Sequence, residues 1–179
     1  FGKSGTEAKI CNLILEDVDI TGCYYVGSLV GSNSGEISNV NASGDVVGEW
    51  DTGGLAGSNN GSISDSCFVG TVTGVAIVEY GESTGGLVGY NNLGTISNCW
   101  TDVTVVSEYH SIGGLVGENY AGTIRESFSS GTITGYDYSG GLVGSNNDEI
   151  TACYSTCTVN GDDQVGGLVG GNSGPITYS

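Results

Sequence analysis

The chain has 179 residues, of which 34 are glycine, and its 20 acidic and 3 basic residues give a formal net charge of −17. Such a charge opposes binding to nucleic-acid phosphates and to anionic lipid surfaces, and no apolar run approaches the roughly 20 residues that span a bilayer. A single proline and the lack of a three-residue glycine period exclude collagen. We therefore expect no nucleic-acid partner and no membrane insertion. Because the chain starts at Phe1, without an initiator Met or a signal peptide, we expect a fragment or mature segment.

The glycines fall into a repeat. After a looser first copy at residues 10–22, a box of the type Gly-Gly-Leu-Val-Gly starts near residues 27, 53, 85, 113, 140 and 166. The leucines of these boxes are 26 to 32 residues apart. An asparagine follows each leucine by four residues, and an isoleucine follows it by eight or nine. Nine residues beyond the isoleucine stands a β-branched residue: Val46, Val72, Val105, Ile133 or Val159.

Each repeat contains short β-type runs separated by Gly, Asn and Asp, and no apolar pattern of helical period extends over 11 residues. A short, β-rich, glycine-punctuated repeat is typical of one coil of a parallel β-helix. We predict an all-β fold: one domain over residues 1–179, a right-handed parallel β-helix of about six to seven coils, although the pattern does not determine the hand. Leu, Ile and Val ladders would fill its interior, asparagine ladders would bond neighbouring coils at the bends, and glycine would supply the positive φ of tight corners.

The repeat resembles the GLUG motif. The resemblance lies in the Gly-Gly-Leu-Val-Gly box, the asparagine that follows it, Gly-x-Ile, and then Cys-Tyr-Ser or Cys-Trp-Thr. That motif occurs in tandem in bacterial surface proteins, including immunoglobulin A peptidases and filamentous-haemagglutinin-like adhesins. The resemblance implies a secreted or surface-attached bacterial protein with a β-helical stalk or adhesive region. It carries over no catalytic residue, because metallopeptidases of that family use a zinc-binding His-Glu-x-x-His motif and this chain has one histidine, His110. We therefore expect a non-catalytic extracellular module and no enzyme.

Variable loops precede the boxes and hold 7 of the 15 aromatic and 8 of the 20 acidic residues. If the repeats stack in register, these loops line one edge of the solenoid. Aromatic rings stack on sugar faces and carboxylates accept hydroxyl protons, so the edge would suit a glycan or a basic protein partner. The other interpretation is that the loops only confer solubility. The candidate ligand-binding residues are Tyr24, Tyr25, Trp50, Asp51, Tyr80, Tyr109, Tyr136 and Tyr138.

Metal and cysteine chemistry remain open in the sequence. Four loop aspartates have the hard carboxylate oxygens that Ca²⁺ prefers and could hold a structural Ca²⁺. They are Asp51, Asp137, Asp162 and Asp163. The sequence contains neither the calcium-binding nonapeptide repeat nor an EF-hand loop. We expect no other cofactor. Cys99 and Cys153 share a column with small residues, which indicates small buried groups. Cys67 with Cys99, and Cys153 with Cys157, are the pairs that could come within disulfide reach; free thiols are the alternative.

Three other patterns offer alternatives. A column of Asn41, Cys67, Trp100, Phe128 and Tyr154 predicts stacked rings that serve packing. Thr-x-Thr strands at Thr71–Thr73 and Thr132–Thr134 resemble the ice-binding faces of some antifreeze proteins. Open coil ends would permit end-to-end self-association into filaments. A polysaccharide-degrading β-helical enzyme is a further alternative, for which Lys3, Lys9 and Arg125 are the only basic candidates.

Overall fold

The computed structural model describes residues 1–75, 82–108 and 110–178. Every regular element in these ranges is a β-strand, and all strand pairs are parallel. The turns stack to form a β-solenoid of about six turns, and the strands of successive turns pair into three sheets. Each turn contributes one strand to the six-stranded sheet. The predicted all-β solenoid is confirmed. No helix in the described part of the chain is long and apolar enough to cross a membrane.

The three sheets differ in length and position. The asparagine sheet contains β2 (Val30–Asn33), β5 (Ala56–Asn59), β9 (Val88–Asn91), β13 (Val116–Asn119), β17 (Val143–Asn146) and β22 (Val169–Asn172). The corner sheet contains β4 (Thr52–Gly53), β8 (Thr84–Gly85), β12 (Ile112–Gly113), β16 (Asp137–Gly140) and β21 (Asp163–Gly166). The long sheet contains β1 (Lys9–Gly22), β3 (Glu36–Gly48), β6 (Ser62–Ser64), β7 (Cys67–Gly74), β10 (Thr95–Ser97), β11 (Trp100–Ser107), β14 (Thr123–Arg125), β15 (Phe128–Thr134), β18 (Ile150–Thr151), β19 (Tyr154–Ser155), β20 (Thr158–Asn160) and β23 (Ile176–Thr177).

The interior consists of the predicted apolar ladders. Ile37, Ile63 and Ile96 are direct register partners and are fully buried. Equivalent stacks of leucine and valine lie beside them, for example Leu55 over Leu87 and Val72 over Val105. Because each buried aliphatic side chain contributes about 1.5–3 kcal/mol, the ladders are the main source of stability.

The asparagine ladder lies at the end of the asparagine sheet. Asn33, Asn59, Asn91, Asn119 and Asn146 each donate a side-chain N–H to the Oδ1 of the asparagine one turn on, at 2.8 to 2.9 Å. All five donors are fully buried. Each bend is thus stabilised by the next, and the predicted asparagine ladder is confirmed.

The expectation for glycine was wrong at most corners. Among described residues, the left-handed corners are occupied mainly by other residue types, such as Asn39, Asp65 and Asn98, and only three glycines have a φ in the left-handed region. The box glycines instead permit close approach of the corner sheet to the asparagine sheet. A Cβ on Gly57 would lie 2.4 Å from the carbonyl carbon of Tyr25, and one on Gly89 would lie 2.6 Å from the backbone nitrogen of Thr52. No side chain fits between backbones this close.

Three of the six cysteines, Cys67, Cys99 and Cys153, are buried in the interior, whereas Cys11 and Cys23 are exposed. No disulfide joins the six thiols, so neither of the two candidate pairs forms. Cys99 and Cys153 are each 1% exposed and share their column with the equally buried Val40, Ser66 and Ser127. Burial raises the pKa of the Cys99 thiol to about 12, so Cys99 stays a neutral thiol at physiological pH.

Candidate functional site

Two columns of residues precede the corner sheet, and the sheet register fixes their order. Val26, Thr52 and Thr84 are register partners, so Tyr25, Asp51 and Ser83 stand one above another. The residues before them form the second column: Tyr24, Trp50, Glu82, His110, Asp137 and Asp163. The loop residues are therefore aligned along one edge of the solenoid.

The close contact of the two sheets brings this edge against side chains of the asparagine sheet. Tyr25 packs beside Gly57, and Asp51 packs beside Gly89. The next residues in the chain are Ser58 and Tyr90, whose column continues to Glu118. Two elements far apart in sequence thereby form one surface.

An open groove of about 720 Å³ lies at this junction. Its lining comes from the loops before the corner strands, from the asparagine sheet and its following turns, and from the N-terminal segment. The lining residues are Gly2, Lys3, Tyr24, Tyr25, Ser32, Trp50, Asp51, Ser58, Asn60, Tyr90, Asn92 and Glu118. The groove crosses four consecutive turns, or about 15 Å at the usual strand spacing.

Aromatic rings form the walls of the groove. The rings of Tyr24 and Trp50 lie on neighbouring turns with centroids 5.7 Å apart and planes inclined by 44°. Tyr90 contributes a further ring, whose centroid lies 6.1 Å from that of the Tyr120 ring. Tyr24 and Tyr25 are exposed, at 65% and 47%. The rings in each pair are tilted and not stacked face to face, so neither ring fully covers the other.

Two carboxyl groups, those of Asp51 and Glu118, line the same groove as the rings. Asp51 is only 5% exposed. Its burial, followed by the charge of Glu118, raises the pKa of Asp51 to about 7. Burial also raises the pKa of Glu118, while the Ser83 hydroxyl, which donates to Glu118 Oε2 at 3.4 Å, opposes that rise. Burial and the charges of Glu118 and Asp51 raise the pKa of Tyr90 to about 12. The groove is therefore an electronegative site where added positive charge is favourable.

Two other predicted edge residues, Tyr136 and Tyr138, are not part of the groove lining. Nearer the C-terminus, His110 Nδ1 lies 3.1 Å from Asp137 Oδ2. The centroid of the His110 ring lies 6.5 Å from that of the Tyr138 ring. Tyr136 is exposed near this group. Tyr80 and Tyr109 lie outside the described residues. Of the eight candidate ligand-binding residues, the structure thus brings Tyr24, Tyr25, Trp50 and Asp51 together in the groove.

The candidate calcium ligands are separated. Asp51 belongs to the groove, whereas Asp137 interacts with His110 and with Gln164 Nε2 at 3.4 Å. Asp162 and Asp163 are exposed, and Asp163 accepts a hydrogen bond from the Gln164 N–H. In residues 1–75, 82–108 and 110–178, no three His, Cys, Asp or Glu side chains are grouped so as to hold a metal ion. A calcium site remains a prediction from the sequence alone.

The second aromatic column lies on the outer face of the long sheet. Trp100, Phe128 and Tyr154 are register partners whose rings stack at 6.1 and 4.9 Å, with planes within 8° of parallel. The rings stack on one another along the column, which agrees with the prediction of stacked rings. Beside this column, Thr71, Thr104, Thr132 and Thr158 form an in-register row.

Two groove residues, Tyr90 and Glu118, were not predicted from the sequence, because they lie in the asparagine sheet and not in a loop. Their column reads Ser32, Ser58, Tyr90, Glu118, Ser145 and Gly171. Two large side chains in a column of otherwise small residues were the signal that could have found them, since a solvent-facing column with no packing role has little need for a tyrosine.

Comparisons with known proteins agree with the repeat architecture. The GLUG motif family matches residues 22–47 and 108–134. No curated protein matches the chain. Among solved structures, a "putative immunoglobulin A1 protease" from Bacteroides ovatus is similar with a TM-score of 0.69 and 21% sequence identity. The alignment covers 95% of this chain and 56% of that protein, so this chain spans little more than half of its length. At this identity the likeness shows the fold alone.

Proposed function

We propose that this chain, which carries GLUG motif repeats, is a non-catalytic module of an extracellular bacterial protein, a stalk or adhesin region that binds a glycan. The observation that carries the proposal is the groove across four turns, with Tyr24, Tyr25, Trp50 and Tyr90 in its lining. The named role of the Bacteroides ovatus neighbour supports an extracellular setting, which matches the setting that the GLUG resemblance implies.

The chemistry of the groove favours a sugar chain. Aromatic rings contact the apolar faces of sugars, and carboxyl and amide groups beside them suit hydroxyl groups. Asn60 and Asn92 supply such amides, and they are joined by a hydrogen bond of 3.0 Å from Asn92 Nδ2. The groove is open and runs parallel to the stacking direction, so it suits a linear chain better than a compact small molecule.

The proposal is tested with ring-removing variants. Trp50→Ala and Tyr90→Ala should each weaken binding to the best ligand of a glycan array at least about tenfold, since several contacts of an aromatic anchor are lost. Tyr154→Ala is the matched control, because this ring is 52% exposed but lies on the long sheet outside the groove. Unchanged affinity in the groove variants, or no glycan bound by the parent chain, would reject the proposal.

Self-association is a second candidate, which one observation favours. The strands of the last turn, β21, β22 and β23, each pair with one neighbour within the described chain, and an unpaired parallel edge can accept another strand. Light scattering over a wide concentration range tests this candidate. A molar mass that stays at 18.1 kDa would reject end-to-end assembly.

A further inference from the structure

We infer that the glycan bound in the groove carries a protonated amino group, which Asp51 and Glu118 hold between the aromatic rings. This inference rests on the proposed function and narrows it to one ligand class, a linear oligosaccharide of amino sugars. It starts from the placement of the two carboxyl groups inside the aromatic groove and not on an open acidic surface.

Asp51 and Glu118 form no ion pair in the described part of the chain; Asp51 accepts only a backbone hydrogen bond at Ser83, and Glu118 accepts one from the Ser83 hydroxyl. In the described ranges, the ion pairs are Lys9 with Glu36 and His110 with Asp137, and neither involves Asp51 or Glu118. Lys3 is the one basic residue of the groove lining, and it is exposed. The chain as a whole has a net charge of −17. Within the described chain, neither Asp51 nor Glu118 therefore forms an ion pair with a cation of the protein.

A neutral sugar would not correct this imbalance. Asp51 is 95% buried, and a buried carboxylate without a positive partner is unfavourable, so it is protonated more readily. An ammonium group between Asp51 and Glu118 would gain charge-assisted hydrogen bonds, which are stronger than neutral ones. It would also lower the repulsion between the two carboxylates.

The surrounding rings favour the same group. A cation within about 6 Å of an aromatic face is attracted by the ring quadrupole, and Tyr25, Trp50 and Tyr90 line the groove together with Asp51. The buried carboxyl group and the aromatic rings thus favour the same kind of ligand. It is a sugar chain with many hydroxyl groups and a compact positive charge. A bare metal ion would gain less from the rings and would require a closer group of oxygen ligands than the described residues supply.

The test compares two oligosaccharides that differ only in the amino group. Fully deacetylated chitosan oligosaccharide and its N-acetylated counterpart of equal length are titrated against the whole chain by calorimetry near neutral pH. We expect the deacetylated ligand to bind at least about tenfold more tightly, as a charge-assisted contact with a buried group implies. Raising the salt concentration should reduce that difference.

Variants locate the effect. Asp51→Asn and Glu118→Gln keep the shape of each side chain and should lower the preference for the deacetylated ligand to within about threefold of unity. Asp45→Asn is the matched control, because it removes an equal charge from an exposed position on β3, away from the groove. It should retain the preference.

The outcomes separate the two proposals. Equal binding of both oligosaccharides, with loss of both in Trp50→Ala, would overturn the amino-group inference and leave the glycan groove intact. No binding of either oligosaccharide or of any arrayed glycan would overturn both. Binding of a lysine-rich peptide in the groove, without binding of any oligosaccharide, would also overturn both proposals.

Discussion

Asn91 donates its side-chain N–H to Oδ1 of Asn119, one turn further along the solenoid, at 2.8 Å. Neither side chain is exposed to solvent. Asn91 also donates to the carbonyl of Gly94 and accepts from Asn59 Nδ2. One side chain therefore links its own bend to the bends before and after it.

Replacing Asn91 with Ala should be strongly destabilising. The change leaves buried partners on Asn59 and Asn119 without their bonds, and each unsatisfied buried group costs about 1–3 kcal/mol. We expect the free energy of unfolding to fall by about 2–4 kcal/mol in urea titration. Asn92→Ala, which removes a partly exposed amide that bonds Asn60, should cost less than about 1 kcal/mol. Similar losses for both variants would contradict a structural role specific to the ladder.

A methyl group at Gly89 should prevent normal packing of the corner sheet on the asparagine sheet. The added Cβ would lie 2.6 Å from Thr52 N and 2.7 Å from Gly57 O, both backbone atoms that cannot rotate away. We expect Gly89→Ala to lower the melting temperature by more than 10 °C, or to abolish folding, since overpacking of this kind costs 1–3 kcal/mol or more. Gly5→Ala is the control, because its Cβ would meet no atom within 4 Å. Equal melting temperatures for Gly89→Ala and the parent would show that the sheets are not in close contact.

Removing the central ring of the stacked column should affect stability and not binding. Phe128 lies between Trp100 and Tyr154, and an aromatic pair contributes about 0.5–1.5 kcal/mol beyond its buried area. Phe128→Ala should therefore lower the free energy of unfolding by about 1–3 kcal/mol while glycan affinity stays within twofold of the parent. Loss of affinity in a folded Phe128→Ala variant would make this column a ligand platform.

The buried carboxyl group of Asp51 predicts a dependence of stability on pH. Its pKa is about 7 in the folded protein and 3.8 as the ordinary value. Because the folded state then holds the proton more tightly, the free energy of unfolding should decrease as pH rises from about 4 to about 7, by up to about 4 kcal/mol. The charged or titratable groups that act on Asp51 or line the groove with it are Glu82, Glu118, Tyr24, Tyr25, Tyr90 and Lys3.

Asp51→Asn isolates this contribution. The variant should be more stable than the parent at about pH 8, with a smaller difference at about pH 5, as measured by urea unfolding. Asp45→Asn, on the exposed face of β3, should show no such trend. A gap between Asp51→Asn and the parent that is constant with pH would contradict the raised pKa.

Most of the fold and about half of the groove-lining side chains that we use could be predicted from the sequence. Columns of Leu, Ile and Asn repeat because stacked turns require the same side chain at the same place, so they are visible in the sequence. The role of the box glycines was not, because close approach of two backbones depends on how sheets pack and not on local conformation. Tyr24 and Trp50 were predictable as neighbours on one edge, whereas Tyr90 and Glu118 reach that edge only through the packing of the asparagine sheet.

Single-tryptophan variants report directly on whether a glycan binds in this groove. The chain has two tryptophans, of which Trp50 lines the groove and Trp100 lies in the stacked column. Trp100→Phe leaves Trp50 as the sole reporter, and Trp50→Phe leaves Trp100. On titration with amino-sugar oligosaccharide, we expect a saturable change in fluorescence from the Trp100→Phe variant and none from the Trp50→Phe variant. A change seen only from Trp100, or from neither residue while calorimetry shows binding, would contradict glycan binding in this groove.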